Sequence, residues 1–280
     1  MKELSVHETQ KVALEILKNI SDVCEELDIR YYLLWGTLIG AVRHKGLIPW
    51  DDDIDIGIPR KDVQRIIDYY NSAKNINNYY KAYTTSTKEN YFFPVKRIVD
   101  TRTIVKGEKR PTKKQCDCGI FVDVYPIEEA GETFEEASKF LRQQGKLVMM
   151  RDFSIKDKFV HAKTSLLYTV AKIPLYLFAK VMGFKFWDNM LERRSNKRSA
   201  SDTQYKCVWT GCSCNPDKGV YHRDVFEKTE KARFEQYYFS IPAGYDEILT
   251  RSYGDYMKLP PENERIGHHE YKAYWKGEKQ

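Results

Sequence analysis

The chain has 280 residues, with 46 Lys and Arg against 40 Asp and Glu, a formal charge of +6. That length and an apolar fraction of 42% fit a soluble globular protein, either one large domain or a catalytic core with a helical appendage. The basic excess favours phosphate-rich substrates or an anionic membrane surface, but it is too diffuse for nucleic acid: no tight Lys/Arg block with interleaved aromatics occurs.

The polar start of the chain lacks an apolar signal region, and no later segment is long enough and uncharged enough to span a bilayer, so a cytoplasmic protein is expected. Residues 8–27 predict an amphipathic helix, with Val12, Ile16, Ile20, Val23 and Leu27 recurring at intervals of three and four. The aromatic run 31–35 reads as a strand that stops at Gly36 and Thr37, after which 38–44 begins a helix. A strand that ends in a glycine turn and feeds a helix N-terminus offers backbone N–H groups to an anion, here a phosphate seat.

Residues 53–58 predict a strand. Its period of two puts Asp53 and Asp55 on one face and Ile54, Ile56 and Ile58 on the other. Two carboxylates pointing the same way make sense mainly with a cation between them, and hard oxygen ligands suit Mg²⁺ or Mn²⁺. The competing reading is a solvated acidic loop beside Arg43 and Lys45. Asp51 and Asp52 precede the strand and are expected to matter less.

Pro59 opens a helix to about residue 70 with Val63, Ile66 and Ile67 on one face, and 72–78 is a loop. Strands over 79–84, 91–99 and 103–105 form a meander carrying Lys96 and Arg97, which either face substrate phosphates or form its solvated side. Residues 110–114 form a polar loop. Asp123 then stands alone in the apolar run 119–126, where a buried carboxylate needs a partner. Either an arginine bridges to it or it supplies the third carboxylate of the metal site.

Residues 132–150 and 159–194 read as helices, the second interrupted by Lys172, Pro174, Lys180 and Lys185. Pro174 should break or kink it. Its apolar stretch suits a core helix, or a membrane-surface helix whose lysines snorkel toward head groups. Tyr221, Tyr237, Tyr238, Tyr245, Tyr253 and Tyr256 are either core filler or walls that hold a quaternary ammonium group. For His268 and His269 a metal ligand, a general base and a surface pair all stay open. Cys116, Cys118, Cys207, Cys212 and Cys214 are poorly spaced for zinc and read as structural thiols.

The run GTLIGAVRHKGLIPWDDDIDIGIPR at 36–60 closely resembles the opening motif of the LicD family, phosphocholine and related phospho-alcohol transferases that include the fukutin-related proteins. FVDVYP at 121–126, FSIPAGYDEILTRSYGDYMKLPP at 239–261 and the histidine that follows resemble that family in the same order. The resemblance implies an α+β fold: a nucleotidyltransferase-like core with a mixed sheet and flanking helices over 1–130, a helical insertion over 131–200, and a C-terminal part over 201–280 that completes the active site.

It also implies that CDP-choline or a related CDP-alcohol donates its phospho-alcohol to a hydroxyl of a cell-surface glycan, such as a teichoic acid, lipopolysaccharide or capsule precursor. One or two Mg²⁺ (or Mn²⁺) held by Asp53, Asp55 and Asp123 would assist, and Asp55 or Asp123 would help deprotonate the acceptor. Gly36, Thr37, Arg43, Lys45, Trp50, Lys96, Arg97, Tyr253 and His268 are the candidate nucleotide and substrate contacts. Two rivals are a nucleotidyltransferase that moves the nucleotide instead, and a metal- or nucleotide-binding regulatory module without turnover. Peripheral contact with the inner membrane face is expected.

Overall fold

A computed structural model of the chain describes all residues except 108–111, 160–165, 210–215, 266, 268–270 and 278–280. In chain order the elements are β1 (Lys2–Glu3), α1 (Val6–Glu26), β2 (Tyr32–Leu33), α2 (Trp35–Ile39) continued by a π turn (Gly40–His44), β3 (Asp55–Pro59) and α3 (Arg60–Asn71). Then follow β4 (Tyr80–Tyr83), β5 (Lys96–Asp100), β6 (Thr103–Lys106), β7 (Phe121–Gly131), α4 (Phe134–Ile155), α5 (Leu166–Met182) and α6 (Phe184–Arg198). The rest is β8 (Tyr205–Val208), β9 (Val220–His222), α7 (Asp224–Glu227), β10 (Thr229–Phe234), β11 (Tyr237–Pro242), α8 (Tyr245–Tyr253) and β12 (Lys272–Trp275).

Local chemistry sets the first helix. The Ser5 hydroxyl accepts from the Glu8 N–H at 3.2 Å, and the Glu8 carboxylate accepts from the Ser5 N–H at 2.8 Å. This reciprocal cap satisfies two N–H groups that the helix start would leave open. The apolar side of α1 then packs with Ile54, Ile56 and Ile58, all fully buried, and with Val63, Ile66 and Ile67 of α3 in one core.

The fold is a mixed α/β arrangement around a mixed seven-stranded sheet. Its order is β2-β3-β7-β5-β4, with β8 pairing along the far part of β7 and β9 beyond it. Only β3 and β7 run parallel; the other ladders of this sheet are antiparallel. Strand β7 is 11 residues long, so it meets β3 and β5 at its start and β8 at its end. The candidate carboxylates Asp55 and Asp123 lie at that start. Helices α4 to α6 occupy the place of the expected helical insertion.

Several boundaries differ from the expectation for physical reasons. The strand begins at Asp55, not at residue 53, because pairing with β7 starts at the Asp55 and Asp123 register. The turn assigned to Gly36 is made one residue earlier, by Trp35 with φ +48°, a left-handed conformation that an L side chain adopts only when its surroundings impose it. Residues 91–95 stay irregular, and β6 leaves the meander to pair with β12, which also carries β1. The helix over 159–194 is two helices. Pro174 lies on the solvent side inside α5, where the carbonyl it deprives of a donor can face water, and the break comes at Gly183 with φ +75°.

Candidate active site

The site grows from the parallel pair β3 and β7. Asp55 stands opposite Asp123 in the register, and the Asp123 N–H donates to the Ile54 carbonyl at 2.8 Å. Directly opposed residues project from one face of a sheet, so the two carboxylates sit side by side. The Asp55 backbone is held from the other side: its N–H donates to the Thr37 hydroxyl at 2.9 Å, and its carbonyl accepts from the Leu34 N–H at 3.0 Å. Thr37 therefore positions a carboxylate rather than a phosphate.

Asp55 is buried, and its Oδ1 makes no hydrogen bond. Burial raises its carboxyl pKa well above the ordinary range. The charges of Asp53, Asp123 and Asp51 raise it further, and Arg97 opposes them. A carboxylate in that condition is a site that a cation would satisfy. Asp51, Asp52 and Asp53 each bring an oxygen within 4.8 Å of one another, so the acidic cluster extends upstream of the strand.

Asp51 corrects the sequence reading. It is buried, and a Cβ on Gly36 would lie 2.5 Å from its Oδ2. The Asp51 carboxylate lies against Gly36, the glycine of the expected phosphate seat, and a side chain there would collide with it. The solvated-loop alternative fails as well, since Asp51 and Asp55 are both buried.

Asp123 has both of the neighbours weighed for it. It lies beside Asp55, and its Oδ1 accepts from Arg97 Nε at 2.8 Å, with both side chains buried. The guanidinium is sandwiched 4.1 Å from the Phe93 ring centroid and 3.6 Å from that of Phe121. Arg97 is thus neither a solvated residue nor an open phosphate contact. Lys96 lies elsewhere: its ammonium is 3.1 Å from Glu192 Oε1, and Arg60 binds the other oxygen of Glu192. This pairing clamps α6 of the insertion to the sheet.

Other candidates hold structure around the site. Arg43 Nη1 donates to the Tyr256 carbonyl at 2.5 Å and the Lys258 carbonyl at 3.1 Å, which fixes the chain after α8. Lys45 caps the π turn, donating to the Val42 carbonyl at 2.9 Å. Trp50 packs edge-on against His44 at 6.0 Å and lies 5.6 Å from the Arg265 guanidinium.

Tyr253 does reach the cluster. Its hydroxyl pKa is raised by burial and by Asp55, Asp51 and Asp53, although the residue is 47% exposed. The other five tyrosines of that group do not gather into one cage: Tyr221 packs edge-on against Phe226, Tyr256 donates to Asp246, and Tyr238 is exposed. His268 and His269 lie outside the described residues, as do Cys212 and Cys214; Cys24, Cys116, Cys118 and Cys207 form no disulfide among the described residues.

Two tyrosines were missed. The phenol of Tyr125 is pushed up by burial, then by Asp55, Asp123 and Asp53, and its ring meets Trp35 edge-on at 6.3 Å. Its signal was the period of two, since it follows Asp123 by two residues on the same face of β7. Tyr271 donates to the Asp52 carbonyl at 2.5 Å, and Gly267 lies against the Asp52 carboxylate. Nothing in the local sequence marks Tyr271.

Comparison with known proteins supplies a family. The family model described as LicD/FKTN/FKRP, nucleotidyltransferase domain, matches residues 28–175. The chain is 32% identical over 281 residues to the lipopolysaccharide cholinephosphotransferase LicD of Haemophilus influenzae, covering 98% of this chain and 99% of that protein. A shorter segment of 49 residues is 45% identical to the ribitol 5-phosphate transferase FKRP of mouse and of human, covering 18% of this chain and 10% of each relative.

Proposed function

This chain belongs to the LicD/FKTN/FKRP nucleotidyltransferase-domain family, and from that membership we propose that it is a transferase moving phosphocholine, or a related phospho-alcohol, from a CDP-linked donor to a hydroxyl of a cell-surface glycan precursor. Support comes from the full-length match to a relative named as a lipopolysaccharide cholinephosphotransferase. The observation that carries the reading is the buried Asp55, with one oxygen unbonded and the carboxylates of Asp53, Asp123 and Asp51 around it.

That donor set fits a hard divalent cation, Mg²⁺ or Mn²⁺, which Asp53, Asp55 and Asp123 would hold with Asp51 beside them. Bound there, the cation would supply neutralising charge to the donor's diphosphate. The chain's own residues prepare that place. Arg97 fixes Asp123 in position, and Thr37 sets the Asp55 backbone. Tyr253, half exposed beside the carboxylates, offers a phenol at the rim. Tyr271 and Gly267 lie against Asp52.

A screen of CDP-choline, CDP-ethanolamine and CDP-ribitol with Mg²⁺ and Mn²⁺, reading out CMP, tests the proposal. CMP release that depends on the cation and on a glycan acceptor is the expected result. Cytidine-labelled donor separates the rival chemistry: label found on the acceptor would make the protein a nucleotidyltransferase. Binding of the donor without any product would make it a regulatory module.

A further inference from the structure

Helix α5 is turned the wrong way round for a helix that ends at water. One side packs on the insertion: Ala179 is fully buried against Met150 and Trp187, and the Trp187 indole N–H donates to the Ala179 carbonyl at 3.2 Å. On the opposite side Val170, Ile173, Pro174, Leu177, Phe178 and Val181 recur at intervals of three and four, and all six are exposed. Val181 is 83% exposed and Leu177 56%. Phe186 and Met190 of α6 are exposed as well. A surface helix of a globular domain normally presents polar residues on that side, and a contiguous apolar stripe open to water marks a surface that something covers.

The charges beside the stripe say what covers it. Leu166–Met182 contains no Asp or Glu, Lys180 flanks the stripe, and Lys185 follows in α6. Lys180 reaches the Lys156 carbonyl at 2.6 Å, where α4 ends, so Lys156 and Lys158 lie at the same edge. Of the acids near this edge, Asp152 lies 3.6 Å from Arg151 Nη1, and Asp157 is committed: Lys113 N–H and the Thr112 hydroxyl both donate to it at 2.8 Å. Its carboxyl is held low by those hydrogen bonds and by the charges of Lys113 and Lys180. A second copy of the chain would bring the same lysines against each other. Phosphate head groups would meet them with the opposite sign.

We propose that the outward face of α5, with Phe186 and Met190 of α6, docks on an anionic lipid bilayer, its apolar stripe entering the head-group boundary and its lysines at the phosphates. Among the described residues no helix is long and apolar enough to cross a membrane, so the contact is peripheral. This inference is independent of the proposed chemistry, because it concerns a surface on the insertion and is read without turnover.

Flotation of the full chain with vesicles decides it, using phosphatidylcholine alone and phosphatidylcholine mixed with phosphatidylglycerol. The wild type floats with the mixed vesicles at low salt, and binding weakens as salt rises. Replacing the exposed side chains together as Ile173→Ser, Leu177→Ser and Val181→Ser lowers partitioning by at least about tenfold. The pair Lys158→Glu and Lys185→Glu lowers it by at least about tenfold on the mixed vesicles. All five positions are exposed, so the variants keep the wild-type circular dichroism; the charge pair also preserves the test if the serine variant does not. Absence of flotation at low salt would overturn the proposal, and so would equal binding to neutral vesicles. A wild-type dimer that the serine variant dissociates, with no vesicle binding, would assign the face to a second copy instead.

Discussion

Asp55 and Asp123 stand side by side on β3 and β7, yet asparagine at the two positions is expected to move stability in opposite directions. Asp123 is one half of a buried ion pair, with Arg97 Nε at 2.8 Å and the guanidinium between two aromatic rings. Asp123→Asn removes the charge with which that buried guanidinium pairs. The cost is about 3 kcal/mol, the lower end of what orphaning one partner of a buried pair costs. Asp55 has no such partner: its Oδ1 is buried without a hydrogen bond, and three carboxylates repel it.

A buried unsatisfied group costs about 1–3 kcal/mol, so Asp55→Asn should stabilise the metal-free protein by roughly 1 kcal/mol at neutral pH. Since folding raises the pKa of Asp55, this group's contribution is complete below the unfolded value of about 3.9 and is withdrawn as pH rises through the folded value. The advantage of Asp55→Asn over the wild type therefore opens as pH rises. Urea unfolding in chelator across that range measures both variants. In the CMP-release assay each variant should lose at least ~100-fold in turnover, as expected for a major electrostatic contributor. Asp55→Asn destabilising the metal-free protein as much as Asp123→Asn at every pH would refute the reasoning, because it would mean that the Asp55 carboxylate has a stabilising partner.

Added Mg²⁺ or Mn²⁺ should raise the melting temperature of the wild type and leave that of Asp55→Asn unchanged in scanning fluorimetry; an equal rise in both would remove Asp55 from the ligand set. Gly36→Ala places a methyl group 2.5 Å from Asp51 Oδ2 and displaces that carboxylate, lowering CMP release by about 10–100-fold; unchanged turnover would show that Asp51 has no part in the site. At the insertion, burial would raise the Glu192 carboxyl, but Lys96 and Arg60 outweigh it and take its pKa down to about 2 from 4.5. The clamp's contribution is thus present above 4.5 and lost as pH falls toward 2. Glu192 is 40% exposed, so solvent screening keeps that contribution small, and Glu192→Gln should flatten the acid limb of the stability profile without shifting its neutral value by more than about 1 kcal/mol.

How much of this was legible depends on how far each residue's partner lies along the chain. The alternation of Ile54, Ile56 and Ile58 announced its buried face, and the spacing in α1 announced its helix, because both signals are periodic and local. Asp53, Asp55 and Asp123 could be grouped as a candidate neighbourhood, since paired carboxylates at the start of an apolar strand and a lone one inside another are anomalous wherever they occur. Asp51 was discounted because the glycine its carboxylate lies against, Gly36, is fifteen positions upstream, and Gln10, which binds its carbonyl, lies further still. Arg97 read as surface because only the register of β5 on β7 brings it to Asp123. Strand β6 could not be told from a third meander strand, because its partner β12 lies at the other end of the chain.

The same long-range pairing brings residues beyond the region matched by the family model, which ends at residue 175, up to the acidic cluster. Strand β12 is held on one side by β6 and on the other by β1, which anchors the far end of the chain to its beginning. That anchor lets Tyr271, the residue immediately before β12, reach the Asp52 carbonyl and lets Gly267 lie against the Asp52 carboxylate. On the neighbouring side, Arg43 grips the carbonyls of Tyr256 and Lys258 just beyond α8, the helix whose last residue is Tyr253. The two contacts place the Tyr253 phenol and Gly267 beside the carboxylates. Charge neutralisation at such a cluster gains strength where water is kept away, so uncharged residues far from the acidic motif in sequence are as much candidates for mutation as the carboxylates themselves.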